Sequence, residues 1–468
     1  MLKKSLLTTA IFLTIACSAF IHQSVANAQS EDSILDFIPS ILAGIKKLPI
    51  PIDFSVSYPN IPSSSEYLID TNDWDIPTNG SNAVKTTDNL QAAINYAAAQ
   101  GHNRVEIPNG TYLIGKYSNS IYQAGIDLHS NTEYVFDSNA IVRMVTNDKW
   151  NYCVLRVQGK SNVKISGGIL EGDKNSHIYT PRSSDGATAH DEGHGVCVWN
   201  NSSKININNM TIRNMTGDGS LLLESNNVSY TNNNIHSNRG QGISVVGGIR
   251  VAIEGNTIHN IRGTAPQFGV DIEGAGRIDR DIIIRNNDFH HNRGGDIVNT
   301  NGKNVFILNN TMDQGTAGSN YRYIDGPIVT WEKTNNVIFG NKITMYDGSV
   351  NGRLGYIQYS GGNDNNRTLT YVHNNVCNNC GMYMYNAEGA DVRYNKFYDY
   401  FASFSNFSNL TLIDNLVTYA ESGPTYCWSY RFRNVYGKAS DNLVEGKPIS
   451  IPLSRSKPYS LQCVLNGF

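Results

Sequence analysis

His194-Gly195-Val196-Cys197-Val198-Trp199, Asp218-Gly219-Ser220-Leu221-Leu222-Leu223, Gln241-Gly242-Ile243-Ser244-Val245-Val246 and Phe268-Gly269-Val270-Asp271-Ile272-Glu273 are four versions of one pattern. Their glycines, at 195, 219, 242 and 269, are separated by 24, 23 and 27 residues. A repeat of that length made of short apolar strands, with neither helices nor a leucine framework, predicts the coils of a parallel β-helix. Side chains alternate across a strand. Val196, Val198, Ile243, Val245, Val270 and Ile272 share one parity and are expected inside. The other parity faces outward, with Cys197, Leu221, Ser244 and Asp271 in one column and Trp199, Leu223, Val246 and Glu273 in the next.

Around these strands lie further recurring positions. His194, Asp218 and Gln241 each precede the glycine, and Arg239, Arg262 and Arg293 each stand in an Arg-Gly pair upstream. Thr264 to Gln267 is an insertion in the longest of the three coils. Between Asp173 and His194 runs a polar stretch too long for a turn, carrying His177, Tyr179, Arg182, His190, Asp191 and Glu192, and loops of this length are often functional. Neighbouring rungs of a sheet are about 4.8 Å apart, so groups from several coils can contact one extended ligand.

Asparagine pairs punctuate the same region: Asn208-Asn209, Asn232-Asn233-Asn234, Asn286-Asn287, Asn309-Asn310, Asn335-Asn336 and Asn374-Asn375. Asparagine tolerates left-handed backbone, which assigns these pairs to turns stacked rung on rung. Upstream, Asp88 to Ala99 has the apolar spacing of a short helix with Asp88 at its N-cap and Gly101 as its stop. Arg104 to Ile114 follows as two short strands about a Pro108-Asn109-Gly110 turn. Helix and hairpin together would cap the first exposed edge of a solenoid.

The expected organisation is therefore a signal peptide over 1–28, a poorly patterned segment over 29–70, an N-terminal cap over 71–120, a parallel β-helix over 121–445 and a C-terminal tail or cap over 446–468. Lys3 and Lys4, an apolar run from Leu6 to Ala19 and the Ala26-Asn27-Ala28 site make the leader. Its apolar run is shorter than a spanning helix requires, and Cys17 sits in a poor lipobox. The apolar stripe Ile34, Leu35, Phe37, Ile38, Ile41, Leu42 and Ile45 has helical spacing broken by Pro39 and is expected to pack on its own domain. Export and the absence of a membrane span follow as expectations.

Composition fits one long repetitive body: among 468 residues there are 42 Gly, 26 Tyr and few charged runs. With 37 Lys and Arg against 40 Asp and Glu, and no basic stretch to follow a phosphate backbone, nucleic acid is not an expected partner. Six cysteines follow the leader: Cys153, Cys197, Cys377, Cys380, Cys427 and Cys463. Their spacing leaves connectivity open, and Cys377 with Cys380 reads as a local disulfide or two packed thiols rather than a metal site. His190, Asp191, Glu192 and His194 lack the spacing of a zinc motif, so no metal is expected.

Glycosidic cleavage needs an acid for the leaving oxygen and a carboxylate acting on water or on the anomeric carbon. Asp271 and Glu273 are two apart on one face, about 6.8 Å by strand rise, and they are the expected acid and base with Asp218 in support. Asp218 within Gly-Asp-Gly has an equally natural reading as a turn residue. Arg239, Arg262, Arg293, His194, Trp199, Gln241, His190 and Glu192 are expected to bind substrate, the arginines holding a sugar carboxylate through paired hydrogen bonds. Each arginine could instead be a solvated partner of those acids.

The stretch from Asn89 to Ile114, the Ser161 to Asp173 segment and the runs from Gly217 to Glu224, Asn238 to Gly247 and Gly263 to Gly274 resemble the pectate-lyase-like superfamily of right-handed parallel β-helix proteins. The likeness covers about residues 72 to 445. The last three runs are similar to a subgroup met in exported bacterial and phage-tail proteins. The resemblance implies an all-β, right-handed solenoid with a short N-terminal capping helix, and activity as a polysaccharide hydrolase, lyase or epimerase. The polygalacturonase set of paired aspartates with Gly-His-Gly and Arg-Ile-Lys is absent, because Gly193-His194-Gly195 precedes Gly217-Asp218-Gly219. A hydrolase on an acidic glycan is the expectation, with two alternatives: a lyase, for which Ca2+ would be the cofactor, and a non-catalytic carbohydrate-binding or adhesive solenoid.

Overall fold

The computed structural model describes residues 48–62, 65–115, 124–180, 192–274, 276–314, 326–331, 335–345, 356–360, 369–398, 402–418, 428–444, 447–448 and 459–462. Two units are distinguished, Met1–Pro49 and Ile50–Phe468. The leader over 1–28, Cys17, the stripe from Ile34 to Ile45, Arg182, His190, Asp191, Cys427 and Cys463 lie outside the described residues.

Three parallel stacks of strands build the second unit. The first includes Asn151–Gln158, Glu192–Trp199, Ser220–Leu223, Ile243–Val246, Phe268–Ile272 and Gly295–Asn299, each paired with the next. A second runs through Ser161–Ser166, Ser203–Asn208, Asn226–Thr231, Ile249–Glu254, Arg280–Arg285 and Lys303–Leu308. Three-residue strands form the third, among them Thr211–Arg213, Asn234–His236, Thr257–His259 and Asp288–His290. From Gly381 onward single long strands, Gly381–Arg393, Ala402–Ile413 and Trp428–Ser440, serve the first two stacks together. Two antiparallel pairings occur near the end, Tyr459–Gln462 on Trp428–Ser440 and Lys447–Pro448 on Leu443–Val444.

Alternation decides which side chains enter the core. Val196, Val198, Leu222, Ile243, Val245, Val270 and Ile272 are fully buried in one continuous cluster. The polar member of this set, Ser220, is buried too, donating to the Val196 carbonyl oxygen at 2.9 Å and lying 3.0 Å from the Tyr230 hydroxyl.

One corner of the prism is a ladder of buried asparagines: Asn233, Asn256, Asn287, Asn310, Asn341, Asn375, Asn395, Asn415 and Asn442. At each step the main-chain N–H and the side-chain amide of one asparagine both donate to Oδ1 of the next. The remaining amide hydrogen reaches a carbonyl of an earlier strand, as from Asn310 to Ile284 at 3.0 Å. Each ladder residue follows one in left-handed backbone: Asn232, Gly255, Asn286, Asn309, Gly340, Asn374, Tyr394, Asp414 and Asp441. The pairs thus divide the work, with the first residue turning the chain and the second bonding. Two pairs differ: in Asn208-Asn209 the second residue is the left-handed one and the following Met210 N–H donates to Asn233, and in Asn335-Asn336 the second residue accepts from the Asn299 amide while the ladder residue of its coil is Asn341.

The N-terminal elements correct two expectations. The helix is Ala83–Ala99, with Asn82 rather than Asp88 as N-cap, because the Asn82 side chain accepts from the Lys85 N–H and the Thr86 and Thr87 hydroxyls bond back to the carbonyls of Asn82 and Ala83. Arg104–Ile107 and Thr111–Ile114 are both strands but do not form a hairpin. The Pro-Asn-Gly turn is a corner, and each strand pairs in parallel with the following coil, at Thr132–Phe136 and Ile141–Met144.

Residues 50–62 form an extended strap. The Ser57 N–H donates to Asn227 at 3.0 Å, Asn60 bonds Asn162, and Asp53 accepts from Asn304 at 3.1 Å, so the strap crosses successive coils of the second stack against the direction of winding. Ile52, Phe54 and Val56 are among its half-buried residues, and the Phe54 ring lies 5.9 Å from that of Phe306.

Candidate functional site

Cys197, Leu221, Ser244 and Asp271 are register partners on adjacent strands. They form a single outward column on the first stack. Its first members are apolar: Cys197 is disulfide-bonded to Cys153, and Trp199 packs against this pair with Leu221 and Leu223. Trp199 is therefore buried on the disulfide rather than open on the surface. Cys377 and Cys380 form the local disulfide.

Asp271 is the buried acid of the column, 2% exposed. Burial first, and then the neighbouring acids Glu273, Asp218 and Asp279, push its carboxyl well above the ordinary carboxylate range. Its Oδ2 accepts from the Gln241 side-chain amide at 3.0 Å, and its Oδ1 is buried with no hydrogen-bond partner among the described residues. Glu273 lies just beyond the strand and is exposed as a residue. Partial desolvation of its carboxyl, with Asp218 and Glu192 nearby, raises it as well. Each of the two acids favours the protonated form of the other.

The residues that begin the strands form a second polar ladder. His194 Nδ1 accepts from the Asp218 N–H at 3.1 Å, Asp218 Oδ1 accepts from the Gln241 N–H at 2.7 Å, and Gln241 Oε1 accepts from the Phe268 N–H at 2.6 Å. Asp218 Oδ2 also accepts from the Ser244 hydroxyl at 2.9 Å. Burial raises the Asp218 carboxyl, and His194, 3.4 Å away, opposes that rise. Glu192 lies 3.5 Å from the other nitrogen of His194. Gly240 stands against this arrangement, since a Cβ there would meet Asp218 Oδ1 at 2.4 Å.

The arginines occupy a neighbouring edge. Main-chain bonds from Arg239 to Met215, Arg262 to Asn238 and Arg293 to Ile261 place them at equivalent points of successive coils. Their surroundings differ. Arg239 is buried with its guanidinium 4.6 Å over the Tyr179 ring, Arg262 is half-buried, and Arg293 is exposed. The charges acting on Asp271 and Glu273 are those of other acids.

Sequence reading missed two residues here. Lys174 donates to the carbonyls of Ser237 and Arg262, at 2.7 and 3.0 Å, and burial beside Arg262 and Arg239 lowers it to about 8. Asp279 is buried, accepts the Gly248 N–H at 2.5 Å, and is raised by burial to about 7. Neither shares a column or motif with the other site residues, so only tertiary position reveals them.

No group of three or more His, Cys, Asp or Glu among the described residues is arranged to hold a metal ion. Ca2+ fits this site poorly, because both Asp218 oxygens are engaged by protein donors and Asp271 is held toward its neutral form.

A family described as "Right handed beta helix region" matches residues 194–278, the segment that carries the acids. Mannuronan C-5 epimerase AlgE6 A-module from Azotobacter vinelandii superposes with a TM-score of 0.53 at 16% identity, over 83% of this chain and 100% of that one. The fold is that of the right-handed, pectate-lyase-like β-helices. The surface protein and adhesin PfbA of Streptococcus pneumoniae shares this fold with a TM-score of 0.50 at 15% identity, over 81% of this chain and 100% of that one. The Bacillus subtilis (strain 168) protein YclG is 30% identical over 274 residues, which is 53% of this chain and 46% of YclG. The chain spans about half the length of the curated relatives it matches. Among the described residues no helix is long and apolar enough to cross a membrane.

Proposed function

We propose that this β-helix is an exported enzyme that hydrolyses glycosidic bonds in an acidic, uronate-containing polysaccharide. The observation that carries the reading is Asp271: a buried carboxyl, raised by burial and by adjacent acids, with one oxygen not bonded to the described protein. Burial and the adjacent acids hold such a group toward its protonated form, in which it can act as a general acid. Asp271 gives its proton to the glycosidic oxygen as the bond to the anomeric carbon breaks. Glu273 takes a proton from the water that attacks that carbon. Their spacing along the backbone, about 6.8 Å, suits a water between the two acids and hence inversion.

Asp218 supports the pair by holding Gln241 and Ser244 in place. Arg262 and Arg293, with Arg239 behind them, form the edge at which a sugar carboxylate binds, and His194 and Glu192 are assigned to the same substrate surface. The mannuronan epimerase, whose name declares a polysaccharide substrate, supports the substrate class by fold alone.

Incubation of the protein with a panel of acidic and neutral polysaccharides tests the proposal. New reducing ends without absorbance from unsaturated uronates are expected, with kcat falling about 10²- to 10⁴-fold in Asp271→Asn. Unsaturated products would replace hydrolysis by β-elimination. Binding without cleavage across the panel would leave a non-catalytic solenoid.

A further inference from the structure

Gln241 is fixed at both ends of its amide. The Phe268 N–H can only donate, and it lies 2.6 Å from Oε1, so this atom is the amide oxygen and the orientation of the group is settled. The NH2 group must then face Asp271, where it donates to Oδ2 at 3.0 Å. In a protonated carboxyl the carbonyl oxygen is the stronger acceptor, so the amide N–H favours Oδ2 as the C=O oxygen. The Asp271 proton belongs on the other oxygen, Oδ1, which is buried and has no partner among the described residues. We infer that Gln241 is a positioning residue that places the Asp271 proton on Oδ1, the oxygen with no hydrogen-bond partner among the described residues.

The arrangement spans three coils. Asp218 Oδ1 anchors Gln241 through its main-chain N–H, Ser244 holds Asp218 Oδ2, and the Gln241 side chain carries the constraint on to Asp271. The acids facing Asp271 are Glu273, Asp218 and Asp279, and each favours its protonated form. His194 and Glu192 act one step removed, on Asp218. The geometry of the amide stands by itself, while its catalytic use rests on the hydrolase reading.

The test uses full-length protein carrying ¹³C-labelled aspartate, with the Asp271 carboxyl band in the infrared assigned by difference against Asp271→Asn. In Gln241→Met the bond to Oδ2 is lost, so the C=O stretch should move to higher wavenumber. In the same variant kcat should fall about tenfold with KM changed less than about twofold. Gln241→Glu keeps an acceptor for Phe268 and adds a fourth acid, so the alkaline limb of the pH–rate profile should move up by about one pH unit. An unmoved band and an unmoved limb, in variants whose circular dichroism is native, would overturn the inference. If Gln241→Met does not fold, Gln241→Glu decides by the limb and by the titration of the labelled carboxyl. A band that answers to Gln241 in a protein that cleaves no polysaccharide sinks the hydrolase reading alone. Asp271-dependent cleavage with a band indifferent to Gln241 sinks the positioning role alone.

Discussion

Two polar ladders run up this solenoid, and they differ in kind. From Asn233 to Asn442 the side chain is the same at every step, neutral, and saturated with hydrogen bonds. From His194 through Asp218 to Gln241 the side chain changes at every coil, and the series meets an acid with an unbonded oxygen. Burying a polar group is tolerable when its partners are present and costly when they are not. The first ladder therefore reads as a stabilising device. The second accepts like charges and an unsatisfied atom in one place, the arrangement on which the proposed hydrolytic role rests.

Interrupting the uniform ladder should produce the largest loss of stability. Asn310→Ala orphans the Asn287 N–H, the Asn287 amide and the Ile284 carbonyl oxygen. At roughly 1–3 kcal/mol for each group, about 5 kcal/mol should be lost in urea unfolding, with the active-site pH profile of any folded protein unchanged. A loss under about 1 kcal/mol would break the comparison.

Asp279 sharpens it through pH. Its carboxyl titrates at about 7 when folded, against 3.8 as a free group, so the folded chain binds that proton more tightly than the unfolded one. Stability from this group is fully present below pH 4 and is lost as pH rises through about 7, on the order of 4 kcal/mol in total. Unfolding of Asp279→Asn should show a flatter profile across that window, and an unchanged slope would count against the assignment.

The disulfide between Cys153 and Cys197 ties the two coils that flank the long loop. Replacing both cysteines by alanine should cost about 3 kcal/mol in thermal unfolding. If the site half of the molecule needs no covalent support, no change will be seen. The smallest stability effect is expected from Asp271→Asn, which should leave the melting temperature at pH 7 level or slightly raised, within about 1 kcal/mol, because a neutral amide replaces a carboxyl already held toward neutrality. A marked loss would show Asp271 to be structural.

The coil repeat and the outward column were legible because strand parity and rung spacing are local rules. The alternation that places Val196, Ile243 and Val270 inside places Ser244 and Asp271 outside, and the observed register agrees. The asparagines were legible as turn residues, but their bonding was not. The bonds join asparagines of different coils, which the pairs themselves do not reveal. Trp199 was misplaced on the surface since nothing local announces the disulfide it covers. The strap was missed because its alternation, Ile52, Phe54 and Val56 between Pro51, Asp53, Ser55 and Ser57, is brief and its partners Asn162, Asn227 and Asn304 are remote in sequence. Likewise, the commitment of Gln241 to Phe268 and Asp271 is a matter of distance, and composition is silent about it.

The asparagine ladder has one more consequence. Its members stand 23, 31, 23, 31, 34, 20, 20 and 27 residues apart, yet the bonding motif repeats at every step. Each asparagine acts like a sprocket tooth: whatever length of chain has been paid out since the last one, the winding is brought back into phase. Loop length is thereby uncoupled from the pitch of the spool. New surface can be grafted on any coil by lengthening the chain between two teeth, while the axis it is displayed on stays the same.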